Sequence, residues 1–272
     1  MSGPATLAQH NGPFRTQAGA CFPGDRAVFR GHDLHADLRD IDWMELYLFG
    51  ITGRRIEPRQ REVLHVLWTC TSYPDARLWN NRVAALVGAG RGTGAMAIGA
   101  AIAVSEAAIY GWQPEFTAAD FLHRARRRVD AGETLEAVVK EELARHRLLL
   151  GYGRPVATLE VDERITVVVE LLEKLGLGVG PHLALAFEVE RTLLALGRRL
   201  PINYAAAIAA VSLDLGLSPR ECYLFFLPSF MAGMPPCYQE AAAKPEGATF
   251  ALRCAQIDYT GPAKRDWDAG PA

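Results

Sequence analysis

The chain has 272 residues, of which half are hydrophobic, and its formal net charge at pH 7 is −2. This length allows one large domain, or a large and a small one, with a substantial buried core. The balanced charge does not indicate a nucleic-acid-binding protein, and we interpret the basic cluster at 124–128 as a solvated helix face. The five cysteines are scattered without a Cys-x-x-Cys pair, which favours reduced thiols in a cytoplasmic protein and argues against a structural zinc site.

The N-terminal segment 1–27 has no apolar stretch after a basic start, so no secretory signal is predicted there. It is rich in glycine, proline and polar residues, and we expect it to wrap over the surface or to stay mobile. The most membrane-like stretch, 92–105, consists largely of glycine and alanine. It is shorter than the roughly 20 strongly apolar residues that a membrane span needs, so it predicts a buried helix packed closely against others.

Helical periodicity dominates the rest of the chain. Segments 134–150 and 183–200 place apolar residues at helical spacing, and the second ends in two arginines that suit a helix C-terminus. Ser218 begins a capping box followed by proline, which predicts a helix start, and Thr117 is a weaker start of the same kind. Segment 165–169 is strand-like in composition, but its continuation favours a helix. Because alternating strand patterns with hairpin turns are nearly absent, the predicted fold class is all-α.

One glycine-rich run, 88–94, resembles a nucleotide-binding loop. It lacks the lysine-serine ending of a P-loop and has no βαβ pattern around it, so a close-packed helix start is the favoured interpretation. His32 and His35 lie together without an evident third ligand, and no serine or cysteine has the context of a nucleophile elbow. The sequence therefore predicts no metal site.

The most informative segment is 151–155 (GYGRP), which is followed by 162–164 (DER). Glycines on both sides of the tyrosine let the backbone approach a ligand closely, because no side chain is in the way. Two arginines near such a turn suit a carboxylate or phosphate, which forked guanidinium donors bind well. The same residues also fit a helix end, a surface turn and an ordinary salt bridge, so the segment alone leaves both interpretations open.

Seven segments, taken in chain order, resemble the citrate synthase superfamily, which includes the citryl-CoA lyases. They are 29–34 (FRGHDL), 79–83 (WNNRV), 109–115 (IYGWQPE), 151–164, 201–204 (PINY), 226–238 (FLPSFMAGMPPCY) and 258–262 (DYTGP). Each match is weak alone, and the resemblance depends on their order and spacing over about residues 28–262.

The resemblance implies a citrate synthase-like fold in an almost wholly helical homodimer. It implies a large domain of residues 1–113 plus 216–272 and a small domain of residues 114–215 that closes over the substrate. A coenzyme A thioester is then the substrate or ligand rather than a permanently bound cofactor, and its adenine is expected against the turn of Gly151, Tyr152 and Gly153.

Three positions that carry proton-transfer residues in this family are changed. The histidine that polarises the thioester carbonyl corresponds to Tyr110, the histidine that protonates the ketone to Arg154, and the aspartate that removes the methyl proton to Asn203. Tyr110 can still donate a hydrogen bond, whereas Arg154 stays charged and Asn203 cannot remove a proton. Losing a general base usually costs around 10²–10⁴-fold in rate, so ordinary citrate synthesis is expected to be very poor.

The family's carboxylate clamp is also altered. Arg164 is retained, Phe230 stands where the family has an arginine, and Arg253 corresponds to the arginine that the partner subunit supplies. A clamp of about two arginines with an apolar ring predicts a substrate less charged than oxaloacetate. Arg154 is placed to restore part of the missing charge from another direction.

Two functions stay open at this point. The first is a divergent acyl-CoA carbon–carbon lyase or acyltransferase, resembling citryl-CoA lyase, whose general base is to be sought among Glu163, Glu106 and His182. The second is a catalytically inactive CoA-binding or scaffolding subunit with the same fold. The polar character of the replaced residues favours the enzyme.

Overall fold

The computed structural model describes residues 3–13, 15–146, 148–153, 162–246, 248, 253–265 and 267. Helices dominate these residues, as the all-α prediction requires. In the first half of the chain they are α1 (Pro4–Gln9), α2 (Trp43–Thr52), α3 (Pro58–Thr69), α4 (Trp79–Ala89), α5 (Gly94–Ser105) and α6 (Trp112–Asp130). In the second half they are α7 (Leu135–Arg145), α8 (Glu163–Lys174), α9 (Pro181–Ala195), α10 (Tyr204–Asp214), α11 (Pro219–Phe226) and α12 (Met234–Ala243).

The N-terminal residues form a small sheet that the sequence did not predict. Strands β1 (Gly19–Phe22), β2 (Arg26–Phe29) and β3 (His32–Asp33) pair antiparallel in that order. The turn between β1 and β2 contains Gly24, whose φ of 81° favours glycine. Part of the segment 1–27, which was expected to wrap over the surface or to stay mobile, thus forms β1 and the start of β2, whose residues are not buried.

The chain divides into two compact units. The first consists of Met1–Tyr73 and Ser105–Phe230, and the second of Pro74–Val104 and Met231–Ala272. This division follows the density of contacts within one chain. The large and small domains implied by the resemblance, 1–113 plus 216–272 and 114–215, stay a prediction.

Helix α10 lies at the centre of the first unit. Tyr204 and all residues from 206 to 213 are buried, so almost no face of this helix meets solvent. A helix that is buried on all sides needs neighbours on all sides, and α6, α8, α9 and α11 pack against it. Its many alanines let these neighbours approach closely.

The predicted helices agree with the structure except at some of their ends. The capping box of Ser218 is formed, and segment 165–169 is helical within α8. The prediction that a helix starts at Thr117 is wrong, because α6 already begins at Trp112 and continues through that position. Helix α9 ends at Ala195, so the two arginines expected in its last turn lie beyond its end.

The second unit contains a close contact between α4 and α12. A Cβ atom on Gly88 would lie 2.4 Å from the carbonyl oxygen of Tyr238, so no larger residue fits there without displacing the backbone. This agrees with the interpretation of segment 88–94 as close helix packing, although the contact lies near the end of α4 rather than at a helix start.

Helix α5 corrects a second expectation. Ala97, Ala101 and Ser105 form one buried stripe, but Met96 on another face is 61% exposed. The prediction of a buried, closely packed helix therefore holds for one face only in this chain, because glycine and alanine give an apolar composition without large side chains that require burial. In the residues that the structure describes, no helix has the length and apolar character needed to cross a membrane.

Candidate functional site

The Gly-Tyr-Gly turn is tied by backbone hydrogen bonds to the segment that leads into α10. The N–H of Gly153 donates to the carbonyl oxygen of Pro201 at 2.7 Å. The N–H of Asn203 donates to the carbonyl oxygen of Gly151 at 2.9 Å. An isolated antiparallel bridge lies between these two bonds. The turn is therefore held rigidly against the start of the central helix.

Gly151 is required at its position for two reasons, and this gives a first prediction. Its φ is 93°, and a Cβ atom would lie 2.8 Å from the Cβ of Ala206 and 3.1 Å from the Cβ of Ala118. We expect Gly151→Ala to lower the free energy of unfolding by about 2–4 kcal/mol, from backbone strain plus overpacking. Urea denaturation of the purified variant measures this loss.

Gly132 offers a matched control for that prediction. Its φ of 96° is almost the same, but a Cβ atom there would meet nothing within 4 Å. Gly132→Ala should therefore lose only the backbone contribution, on the order of 1 kcal/mol. Equal losses in the two variants would show that the turn is not tightly packed against α6 and α10.

The aromatic ring of the turn belongs to the protein core. Tyr152 is buried, and its hydroxyl donates to the carbonyl oxygen of Ala186 in α9 at 3.0 Å. Burial raises the pKa of Tyr152, and the nearby carboxylate of Glu190 raises it further. The hydroxyl of Tyr152 thus faces α9. A ligand at this turn would contact the backbone and the glycines of the turn, not the tyrosine hydroxyl.

Asn203 connects the turn to α10 through its side chain. Its Oδ1 accepts from the N–H of Ala205 at 3.0 Å, which caps the N-terminus of α10. Its Nδ2 donates to the carbonyl oxygen of Gly153 at 2.8 Å. Both polar ends of the amide therefore contact backbone in this structure, and a direct part in catalysis stays a prediction.

The next residue of α10 meets the arginine that the sequence singled out. Asp162 is fully buried, and its carboxylate accepts from Nε of Arg164 at 2.8 Å and from Nη2 at 2.7 Å. The same carboxylate accepts from the N–H of Tyr204 at 3.1 Å. Asp162 also caps α8, so one carboxylate fixes the starts of two helices and orients the guanidinium.

The guanidinium of Arg164 lies over two aromatic rings. Its central carbon is 4.3 Å from the ring centroid of Tyr204 and 5.6 Å from that of Tyr73. The hydrogen bond with Asp162 keeps the pKa of Arg164 above its usual value, although burial opposes this. Two of the five N–H donors of the guanidinium are used by Asp162, and three are left for other acceptors. Because 20% of the side chain is exposed to solvent, a ligand carboxylate can reach the guanidinium.

A buried carboxyl group lies close to this arginine, and the sequence did not predict it. Glu115, in the first turn of α6, is 8% exposed, and its Oε2 has no hydrogen-bond partner among the described residues. Burial raises the pKa of Glu115 to about 8, and the charge of Arg164 acts in the opposite direction. At neutral pH this side chain is therefore a neutral carboxylic acid.

The first turn of α6 also contacts the predicted apolar residue of the clamp. The ring of Trp112 lies 5.8 Å from the ring of Phe230, and Trp112 is almost fully buried. Its indole N–H has no acceptor within the described part of the chain. Tyr110 lies two residues before this tryptophan and is 39% exposed, so it stands at the edge of the same region. The turn of α6 thus joins Phe230 to the surroundings of Arg164.

Comparisons with known proteins agree with this architecture. The citryl-CoA lyase of Hydrogenobacter thermophilus superposes with a TM-score of 0.80 at 19% sequence identity, covering 93% of this chain and 96% of that one. The ATP citrate lyase of Methanothrix soehngenii, in complex with citrate and coenzyme A, gives 0.73 at 14% identity and covers 97% of this chain and 45% of that one. The citrate synthase of Thermoplasma acidophilum, in complex with carboxymethyl coenzyme A and oxaloacetate, gives 0.61 at 17% identity, with coverages of 84% and 59%.

These structures decide the fold, and the predicted resemblance is confirmed at that level. This chain has the citrate synthase-like fold. It spans less than half of the ATP citrate lyase chain that it matches. No protein-family model matches the sequence, and no curated protein sequence is significantly similar to it.

Within the citrate synthase-like fold, two further predicted site residues stay untested. Arg154 lies outside the described residues. Arg253 belongs to the second unit, where its side chain is exposed and its backbone N–H donates to Oε1 of Gln256 at 3.0 Å. Their roles stay predictions.

The three candidate bases have other surroundings in this fold. Glu106 accepts from the hydroxyl of Tyr223 at 2.9 Å and from the amide of Gln113. His182 contacts Asp214 through its Nδ1 at 2.9 Å, near the start of α9. Glu163 is exposed in the first turn of α8, beside Arg164 in sequence. Among the described residues, no group of three or more metal-ligating side chains occurs.

Glu115 was missed because of the wrong helix start. With the helix beginning at Trp112, Glu115 lies on the same face as Ala118, Ala119 and Leu122, all of which are buried. With a start at Thr117, the glutamate lies outside the helix, and the sequence analysis noted it only as the end of segment 109–115. The sequence signal that could have revealed this helix start is Gly111 itself. Glycine is accepted at the N-cap position and readily takes a positive φ, which is 107° here.

Proposed function

We propose that this protein binds a coenzyme A thioester and acts on it as a citryl-CoA lyase-like or acyl-CoA carbon–carbon lyase or acyltransferase with an altered active site. The observation that carries the proposal is the Arg164 anchor, a guanidinium that Asp162 fixes over two tyrosine rings. It lies in the same unit as the Gly-Tyr-Gly turn and is joined to it through the start of α10. The fold shared with a citryl-CoA lyase supports the substrate class.

In this proposal the thioester lies along the turn and the carboxylate of the acyl group meets Arg164. The exposed pair Arg198 and Arg199, a few residues before the start of α10, supplies positive charge for the phosphates of coenzyme A. The glycines of the turn allow the adenine to approach the backbone. No permanently bound cofactor is required.

Each predicted catalytic residue has the role that its side-chain chemistry allows. Tyr110 donates a hydrogen bond to the thioester oxygen, and Arg154 holds an oxyanion or a carboxylate without exchanging protons. Asn203 holds the turn against α10 and so orients the ligand. Phe230, packed on Trp112, keeps this side of the site apolar.

The alternative function is a CoA-binding or scaffolding subunit without turnover. The observation in its favour is Asn203, whose amide caps α10 and bonds to Gly153 at the position where the family has its base. A protein of this kind would keep the thioester site and lose the reaction.

Calorimetry with CoA, acetyl-CoA and citryl-CoA, followed by cleavage assays of every acyl-CoA that binds, separates the two functions. We expect binding together with cleavage of at least one hydroxyacyl-CoA. Binding without turnover across a broad panel of acyl-CoA compounds would establish the scaffold. Absence of CoA binding would contradict both functions.

Arg154→Ala gives a second prediction for the same assays. We expect at least tenfold weaker binding of the acyl-CoA, because a charge-assisted hydrogen bond is typically worth about 1.5–3 kcal/mol. Arg191→Ala is the matched control, since Arg191 is exposed on α9 and only approaches Glu188 at 3.9 Å. Equal effects of the two substitutions would exclude Arg154 from the site.

We also propose a homodimer. The exposed side chains of Met96 on α5 and Leu86 on α4 give the second unit an apolar surface that a second copy would cover. Light scattering after gel filtration tests this, and Arg154→Ala should leave the dimer intact. A dimer that dissociates in this variant would make Arg154 a structural residue.

A cytoplasmic location is proposed from the cysteine pattern alone.

A further inference from the structure

The unusual feature near the anchor is a carboxyl group with neither a hydrogen bond nor solvent at one of its oxygens. Glu115 is more than nine-tenths buried, and its Oε2 has no partner within the described ranges. A buried ionised carboxylate in such a place is strongly disfavoured, so the group keeps its proton. A carboxyl group at this buried position gains nothing for packing over an apolar side chain, which points to a role for its charge state.

Glu115 interacts electrostatically with Arg164 and Tyr204, and the charged and titratable groups around these two residues come from three elements. Helix α8 supplies Arg164 with its neighbours Asp162 and Glu163, and α10 supplies Tyr204. Near the end of α3, Cys70 approaches Tyr204, and Tyr73 faces Arg164. Burial raises the pKa of Tyr204 and of Tyr73, so both phenols stay neutral where Glu115 titrates.

The charge balance of the cluster follows from these contacts. Asp162 is fully buried and already neutralises Arg164 through two hydrogen bonds. A ligand carboxylate at Arg164 adds one negative charge. If Glu115 were ionised as well, three negative charges would interact with one guanidinium, and the two buried carboxylates would repel the carboxylate of the ligand.

We propose that Glu115 controls the binding of carboxylate ligands at Arg164, because only its neutral form leaves the guanidinium able to accept a second carboxylate. Glu115 acts through Arg164, so it is a positioning residue and not a catalytic one. This inference rests on the proposed function, in which Arg164 holds the carboxylate of the acyl group. Ligand binding and proton binding are then linked: each favours the other.

The test measures the affinity of citrate, as a simple carboxylate probe, by calorimetry at about pH 7.5 and pH 9.5. If binding requires neutral Glu115, the affinity of the wild-type protein should fall on the order of tenfold or more over this range. Citrate itself is fully ionised throughout, so its own charge does not change. In Glu115→Gln the affinity should change less than twofold.

A second measurement needs no substitution. Binding at about pH 9 should take up close to one proton, which calorimetry in two buffers with different heats of ionisation reveals. Cys70→Ser should keep the wild-type pH dependence. If that variant lost the dependence, the titrating group would be the thiol and the inference would be wrong.

The outcomes separate this inference from the proposed function, because CoA binding is measured on the same samples. CoA binding together with a pH-independent citrate affinity, or with the same pH dependence in Glu115→Gln, would overturn the control by Glu115 and leave the thioester site standing. CoA binding without any citrate binding would remove the carboxylate anchor and with it this inference. Failure to bind either ligand would overturn the proposed function.

Discussion

Replacing Glu115 with glutamine should make the ligand-free protein more stable at neutral pH. In the unfolded chain a glutamate ionises near its usual pKa, whereas in the folded protein burial raises the pKa of Glu115 to about 8. Between these two values the folded state binds one proton more than the unfolded state. The free energy of unfolding of the wild-type protein therefore falls as the pH rises through this window.

The expected size is large for a single polar substitution. The difference in unfolding free energy between Glu115→Gln and wild type should grow from about pH 5 to about pH 8, reach on the order of 3 kcal/mol near pH 7, and stay constant at higher pH. Urea denaturation at a series of pH values measures it. Glu136→Gln is the control, because that side chain is exposed in the first turn of α7. A difference independent of pH would mean that Glu115 is already ionised in the folded protein.

Replacing Arg164 with alanine should have the opposite effect and unfold the protein more easily. Asp162 is fully buried, and the substitution removes two of its hydrogen bonds together with the opposite charge of Arg164. Breaking such a pair from one side typically costs about 3–5 kcal/mol, because a buried charge stays behind. The lost contact with the ring of Tyr204 adds to this.

A double variant shows whether the buried charge is the cause. Asp162→Asn keeps a side chain that caps helices well but removes the charge, so Arg164→Ala combined with Asp162→Asn should be more stable than Arg164→Ala alone. Arg164→Lys keeps the positive charge but loses the two-pronged hydrogen bonding of the guanidinium. Its free energy of unfolding should lie between those of the wild-type protein and Arg164→Ala. A loss below about 1 kcal/mol for Arg164→Ala would show that Asp162 is adequately solvated without the guanidinium.

The fold could be predicted from the sequence because its strongest signals are local. Helical periodicity and the capping box of Ser218 act within one or two turns, and the order of the seven segments carried the resemblance. The small N-terminal sheet was missed because its strands are only two to four residues long and contain no buried residue, so no alternating burial pattern marks them. The exposed face of α5 was missed because composition alone does not reveal which side of a helix meets its neighbours.

The sequence singled out only some residues of the candidate site, and their roles stay predictions. Arg164 was singled out because an arginine near a glycine turn suits the binding of a carboxylate or phosphate. The roles of Asn203 and Glu115 depend on contacts between elements far apart in the chain, such as Asn203 with Gly153 and Glu115 with Arg164. A single sequence holds no record of such contacts, and the charge state of a buried carboxyl group exists only once the core has formed around it.

Under the proposed function, the two halves of the ligand would lie against elements that two consecutive residues, Asn203 and Tyr204, hold in place. Asn203 holds the turn at Gly151 and Gly153, and Tyr204 holds the carboxylate of Asp162 through its N–H while its ring supports Arg164. Both residues lie at the start of the same helix, α10. A shift of the Gly-Tyr-Gly turn away from α10 would therefore disturb the ring of Tyr204, over which the guanidinium of Arg164 lies. A thioester and a carboxylate supplied as separate molecules would therefore bind cooperatively, and a single molecule that carries both groups at the matching separation would be preferred over either fragment.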